Sequence, residues 1–208
     1  MLCSARSIAV THFAKVHPMK NLLLCCLILA LAISASVVTA QDQAQDATAF
    51  LEALKLAPEH AYLKKHVGKW TLEIKTYFED PSKPTTSKGS ATFKTLMNGR
   101  YLQQSLKGEF FGMPFEGRGL TGFDKAKKKF VSTWIDSFET GISVMEGSCD
   151  EKTKTMTEIA VDVMPNSEMR MKNVVKEIDE NTLVSSMYLV KPDETETLGM
   201  QITYRRAK

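Results

Sequence analysis

From Gly68 onward the chain alternates. In Trp70-Thr71-Leu72-Glu73-Ile74-Lys75 apolar and polar side chains change places at every residue, and Phe78 keeps the apolar phase. Near the C-terminus Leu198, Met200, Ile202 and Tyr204 alternate with Gly199, Gln201, Thr203 and Arg205. A period of two sends successive side chains to opposite faces of a strand. Runs of this kind predict strands over Trp70–Phe78, Ser90–Met97, Arg100–Phe110, Phe115–Phe123, Lys129–Ser137, Ile142–Cys149, Thr155–Val163, Glu168–Ile178, Thr182–Val190 and Thr197–Arg206. Turn chemistry separates them: Pro81 to Pro84, Asn98-Gly99, Asp124 with its lysines, Asp150-Glu151-Lys152, Pro165-Asn166, Asp179-Glu180-Asn181 and Pro192-Asp193. Asn98-Gly99 between two such runs is a strong hairpin signal. Evenly spaced strands with no helical crossover make a meander, and closing a meander into a barrel removes both sheet edges. A β-sandwich is the alternative. Ahead of the strands, Thr48–Leu56 predicts a short helix with Phe50, Leu51 and Leu54 on one side. Pro58 opens a second helical turn that runs through His66 and stops at Gly68. The fold expected is all-β: a closed antiparallel meander barrel of about ten strands over residues 58–208, with short N-terminal capping helices.

The strongest apolar run lies outside this alternation. Lys20 supplies a positive region, Leu22 to Ala35 an apolar one, and Val38-Thr39-Ala40 the small residues that a signal peptidase requires. Residues 1–40 are therefore read as a secretory signal peptide, with Met19 the better start and cleavage after Ala40. An uncleaved anchor is the alternative, because residues 21–40 are just long enough to span a bilayer. Residues 41–57 form a polar tether and the first short helix. The protein is expected to be exported, periplasmic or secreted, with no stable membrane insertion of the mature domain.

Removing that leader changes the charge. The whole chain carries 27 Lys and Arg against 24 Asp and Glu, but Arg6, Lys15 and Lys20 leave with the leader and no acid does. The mature chain is formally neutral, so a nucleic-acid partner loses its electrostatic support and none is expected. Three of the 4 cysteines leave too. Cys149 remains alone, no internal disulfide is available, and the domain must be held by its core.

Residues 117–124, GRGLTGFD, contain the spacing of a dinucleotide fingerprint. That motif works only where a strand ends and a helix begins, because the pyrophosphate sits on the helix N-terminus. Here a charged turn and another β-branched, aromatic strand follow, so nucleotide binding is set aside. Gly117 and Gly119 share one strand face, where alternate glycines let a barrel strand coil sharply or let a large side chain or ligand lie against the backbone.

Gly68-Lys69-Trp70 starts the first strand and Arg205-Arg206 ends the last. In a closed barrel these strands are neighbours, and a guanidinium, assigned to Arg205, stacks on Trp70 to close one end. G-x-W on a first strand with an Arg on the last resembles the calycin superfamily, the lipocalins and fatty-acid-binding proteins. The segments HAYLKKHVGKW, LMNGRYL, MPFEGRGLTGFD, KKFVSTWIDSFETG and ITYRR, in that order, resemble a bacterial, often exported family of unknown function numbered 1579. The resemblance covers about Pro58 to Arg206; one departure is Phe123, where a Tyr is more usual. It implies a lipocalin-like barrel and no established activity.

Candidate chemistry is sparse. His60 and His66 are six apart and do not share a helical face at i, i+4 spacing, so no metal site is expected. No His follows His66, which disfavours haem, and no cofactor is expected. Cys149 has no His in the strand region to activate it and is read as a small buried hydrophobe. No G-x-S-x-G is present. The basic turn DKAKKK, residues 124–129, reads as solvated surface. Glu116 and Arg118 share one face of a strand, and Trp134 and Asp136 share one face of the next. Inside a barrel this cluster would orient a ligand's polar head; on the outer face it is a surface ion pair. The strand methionines suit a core or an adaptable cavity. The ligand set is Arg100, Glu116, Arg118, Trp134, Asp136, Met145 and Tyr204, with Trp70 and Arg205 closing the barrel. The function expected is binding of a small apolar or amphipathic ligand in the interior. The alternatives are a filled barrel acting as an envelope structural or interaction module, and a hydrolase or isomerase using Glu116 and Asp136.

Overall fold

A computed structural model describes residues 45–160 and 168–208. The leader, the start of the tether, positions 161–163 of the seventh strand run and the Pro165-Asn166 turn lie outside the described residues. The chain divides into two units, Met1–Lys55 and Leu56–Lys208. The first contributes helix α1 over 45–53, on which Phe50 and Leu51 are exposed. No helix among the described residues is long and apolar enough to cross a membrane.

The second unit is a closed ten-stranded barrel preceded by helix α2, Glu59–Lys65. Its strands are β1 Gly68–Thr76, β2 Thr85–Leu96, β3 Tyr101–Phe110, β4 Met113–Asp124, β5 Lys129–Asp136, β6 Ser143–Asp150, β7 Thr155–Ala160, β8 Arg170–Asp179, β9 Thr182–Val190 and β10 Glu196–Arg206. Each strand pairs antiparallel with the next, and β1 pairs with β10 from Trp70↔Arg206 to Thr76↔Met200. Closure leaves no free sheet edge. Two differences from the sequence reading have local causes. β2 begins at Thr85, because the polar run Thr85–Gly89 pairs along the end of β1 despite its weak apolar alternation. A bulge between Leu198 and Met200 leaves Leu198 opposite Tyr188, out of phase with Met200, Ile202 and Tyr204.

Pro58 stands at the N-cap of α2 in helical conformation, as its fixed φ favours. The helix turns Leu63 into the barrel, where it is as fully buried as Trp70, Ile74 and Phe130. Its Tyr62 ring meets the Phe130 ring at 5.7 Å. The inward set at this end, including Leu72, Phe93, Leu102, Leu183 and Ile202, forms one continuous core.

The closing contact has the expected form and a different arginine. The Arg206 guanidinium lies 4.3 Å from the Trp70 ring centroid. Its Nη1 donates to Val67 O at 2.8 Å, its Nη2 to Lys65 O at 2.9 Å, and Nε and Nη2 both reach Glu180 O. Arg205 is exposed and contributes its carbonyl to Thr71 Oγ1. Strand parity decides between them: Arg206 stands two residues after the inward Tyr204 and directly opposite Trp70. Trp70 Nε1–H donates to His66 O at 3.0 Å, which ties the strand to the end of α2. Gly68 is required here: its φ is +141°, and a Cβ would stand 2.8 Å from Arg206 Nη1.

Candidate functional site

Beyond the packed helix end the barrel holds a cavity of about 340 Å³. Its wall is mostly apolar, with aromatic rings from Phe93, Phe110, Phe115 and Trp134 and thioethers from Met145, Met156, Met171, Met187 and Met200. Phe78, Phe111, Phe138 and Glu139, from the loops at the other end, form its rim. Phe78, Phe111 and Phe138 are about half exposed.

The glycines of GRGLTGFD lie under a ring. An added Cβ on Gly117 would stand 2.1 Å from Trp134 Cζ2, and one on Gly119 would stand 3.2 Å from Cε3. The pairs Gly117↔Asp136 and Gly119↔Trp134 set the indole flat along β4. Trp134 Nε1–H then donates to Asp136 Oδ2 at 2.9 Å, while Asp136 Oδ1 accepts from the backbone N–H groups of Phe138 and Glu139. The glycine spacing thus clears a slot for one wall of the cavity. Gly117→Ala is expected to cost about 1–3 kcal/mol and to shift the fluorescence of Trp134. Urea unfolding with emission spectra checks this; an unchanged midpoint and spectrum would refute the slot.

The predicted ligand set is divided by the wall. Trp134, Asp136, Met145 and Tyr204 line the cavity. Glu116 and Arg118 are exposed on the outer face, because inward positions on β4 are those in phase with Phe115, Gly117 and Gly119. Glu116 forms an ion pair with Lys107 at 2.8 Å, and this hydrogen bond lowers its carboxyl below the usual range. Arg118 donates to Ser105 Oγ. Arg100 follows the 3-10 turn Met97–Gly99, with Nη1 donating to Met97 O. Glu116 and Asp136 therefore stand on opposite sides of the sheet and make no acid–base pair.

A second polar set crosses the inner wall. Ser132 Oγ–H donates to Glu158 Oε1 and lies 2.9 Å from Thr121 Oγ1. The Asn173 side chain also bonds to Glu158, and Ser185 Oγ–H donates to Asn173 Oδ1 at 2.8 Å. Thr121, Ser132, Glu158, Asn173 and Ser185 come from five strands and all line the cavity. With its Oδ1 taken by Ser185, Asn173 presents its amide N–H₂ to Glu158. Glu158 is 4% exposed, and this burial raises its carboxyl above the usual range against the two hydrogen bonds that lower it. Across the barrel, Gln104 Nε2 donates to Tyr204 Oη at 3.1 Å, and burial pushes the Tyr204 phenol up to about 12.

The helix end of the cavity carries a third set. His66 Nε2 and Glu177 Oε1 are 3.2 Å apart and both side chains are largely buried; the bond to His66 holds the Glu177 carboxyl below its ordinary value. The Tyr62 hydroxyl is buried beside Cys149, and burial raises both the phenol and the thiol. A thiol held protonated is a poor nucleophile, and Cys149 is half-buried against the core rather than fully enclosed as the sequence suggested. Both histidines are buried parts of this cap: His60 meets the Phe123 ring edge-on at 6.0 Å.

The model of a family described as protein of unknown function, DUF1579, matches residues 55–206. No curated protein matches the chain. Among solved structures, the barrel is similar to Rv2717c from M. tuberculosis, with 12% identity over 74% of this chain and 100% of that one, at a TM-score of 0.56. It is also similar to the S-type phycobiliprotein lyase CPES from Guillardia theta, with 9% identity over 74% and 94% of the two chains, at a TM-score of 0.49. At 12% identity the likeness to Rv2717c is one of fold.

Proposed function

We propose that this chain, which belongs to the DUF1579 family, is an exported binding protein that takes a small apolar or amphipathic ligand into its barrel. The observation that carries this reading is the cavity of about 340 Å³, walled by aromatic rings and methionines and crossed by one hydrogen-bonded polar belt. An interior of this kind gains free energy by removing a ligand's apolar body from water, at about 25 cal/mol per Å². A few fixed polar groups then orient it. A barrel serving only as a structural module would gain more by filling that space with side chains. Export is supported by the apolar run Leu22–Ala35 and the small residues Val38-Thr39-Ala40 behind it.

The test uses N-phenyl-1-naphthylamine, a neutral dye whose emission rises in apolar surroundings. It is expected to bind with a Kd on the order of micromolar. Filling the cavity by Met145→Trp with Met200→Trp is expected to weaken it about tenfold or more while the circular dichroism stays that of the barrel. Absence of dye binding by the folded protein, or binding indifferent to both tryptophans, would overturn the proposal.

A further inference from the structure

The charge of the cavity wall is one-sided. Among the described residues that line it there is no Lys and no Arg. The ionisable groups facing in are Glu158 on the inner wall, Asp136 and Glu139 at the rim, His66 at the helix end, and the phenols of Tyr62 and Tyr204. His66 is the one basic group in this set, and it is held by Glu177 at 3.2 Å. Lys172 and Arg170, on the strand that carries Asn173, form ion pairs with Glu196 and Glu194 instead.

Glu158 is placed for an incoming donor. Its neighbours Ser132 and Asn173 are neutral, and the belt points hydrogens toward it from both sides. Two donors satisfy only part of a carboxylate's acceptor capacity, which is about four lone-pair sites. Desolvation is the largest influence on this carboxyl and raises it above the usual range, which favours its neutral form more than at a surface glutamate. A cation delivered beside it would favour the charged form and make a charge-assisted hydrogen bond at a buried carboxyl. Asp136 and Glu139 at the rim add attraction of the same sign along the way in, and the surrounding aromatic faces suit a cation as well.

Resting on the binding reading above, we infer that the ligand is an amphipathic cation, a protonated amine on an apolar body, whose ammonium docks on Glu158. The apolar body lies against the methionines and rings, and the nitrogen donates to the free Glu158 lone pairs. An anionic amphiphile, such as a fatty acid, would meet three carboxyls and no free basic partner among the described lining residues.

The experiment holds the body constant and varies the head. Octylammonium, octanol and octanoate are titrated at neutral pH against protein loaded with N-phenyl-1-naphthylamine, and displacement of the dye is read. Octylammonium is expected to displace the dye at a concentration at least about tenfold below that for octanol, with octanoate weakest. In Glu158→Gln the ammonium advantage over octanol is expected to fall to within about threefold. Equal or tighter binding of octanol or octanoate by the wild type overturns the inference and leaves the cavity reading standing, and so does an ammonium preference that survives in a folded Glu158→Gln. If neither the dye nor any of the three binds, the cavity reading fails and this inference fails with it. The wild-type series decides the matter even where the variant does not fold.

Discussion

Replacing Trp70 with alanine is expected to lower the unfolding free energy by about 3–5 kcal/mol, the range for removing a fully buried Trp or Phe. Trp70 is 1% exposed and joins three elements. Its ring is packed edge-on against Phe93, its Nε1–H is bonded to the carbonyl that ends α2, and its face carries the Arg206 guanidinium. Truncation leaves a hole where β1 and β10 meet and strands a carbonyl and a charged group around it. Arg206→Ala removes the cation–π contact, about 1 kcal/mol, together with side-chain donors to Val67, Lys65 and Glu180. Those bonds are exposed, so its cost should be less than that of Trp70→Ala. Arg205→Ala leaves this contact intact and should change stability by no more than about 0.5 kcal/mol. Urea unfolding followed by circular dichroism ranks the three. An order in which Arg205 outweighs Arg206, or a Trp70→Ala curve that overlays the wild type, would overturn the closure described here.

The same two arginines show where sequence reasoning reaches its end. The barrel is legible because an alternation of period two over short strands leaves few other ways to bury one face. That Trp70 meets an arginine of the last strand follows from closure. Which arginine it is follows from strand phase: the alternation sets Arg205 on the face opposite Tyr204, and the bulge at Leu198 and Met200 lies upstream and leaves that phase unchanged. Counting from Tyr204, one residue pair from the strand's end, gives Arg206.

The interior polar belt left a trace that charge clusters concealed. Glu116 and Arg118 stand out as a pair, yet they are in phase with the exposed Leu120 and out of phase with Phe115. Glu158 is the acid in phase with the buried Met156 and Ala160. Asn173 likewise lies in phase with Met171 and Val175, Ser185 with Leu183 and Met187, and Ser132 with Phe130 and Trp134, all facing in. A polar side chain in the inward phase of several adjacent strands is the signal for a lined cavity. Recognising it requires the pairing of β7 with β6 and β8, which places Glu158 opposite Gly147 and Asn173. A Cβ on Gly147 would fall 1.9 Å from Thr157 O, so these strands approach closely beside the acid.

The raised carboxyl of Glu158 makes the stability of this barrel depend on pH in a direction opposite to that of most paired acids. In the unfolded chain a Glu titrates near about 4.3; in the folded barrel burial holds Glu158 protonated to higher pH. Between those two values the folded state binds a proton that the unfolded state has released, so stability falls as pH rises through that interval, by up to about 1.4 kcal/mol per pH unit. Below the unfolded value both states are protonated and the penalty vanishes. Glu177 acts in the other window: its carboxyl is lowered by His66, so its contribution is present above the unfolded value and is lost as pH falls below it. The two are thus separated on the pH axis. Glu139, raised by burial and by Asp136, adds to the upper window, but equally in wild type and variant. The stability difference between Glu158→Gln and wild type, measured by urea unfolding at pH 5 and pH 7.5, isolates Glu158. The Gln variant should gain on the wild type between those points. A difference that stays flat with pH would mean that water entering from the rim already solvates the carboxylate, and that the belt of Ser132 and Asn173 suffices to hold it charged.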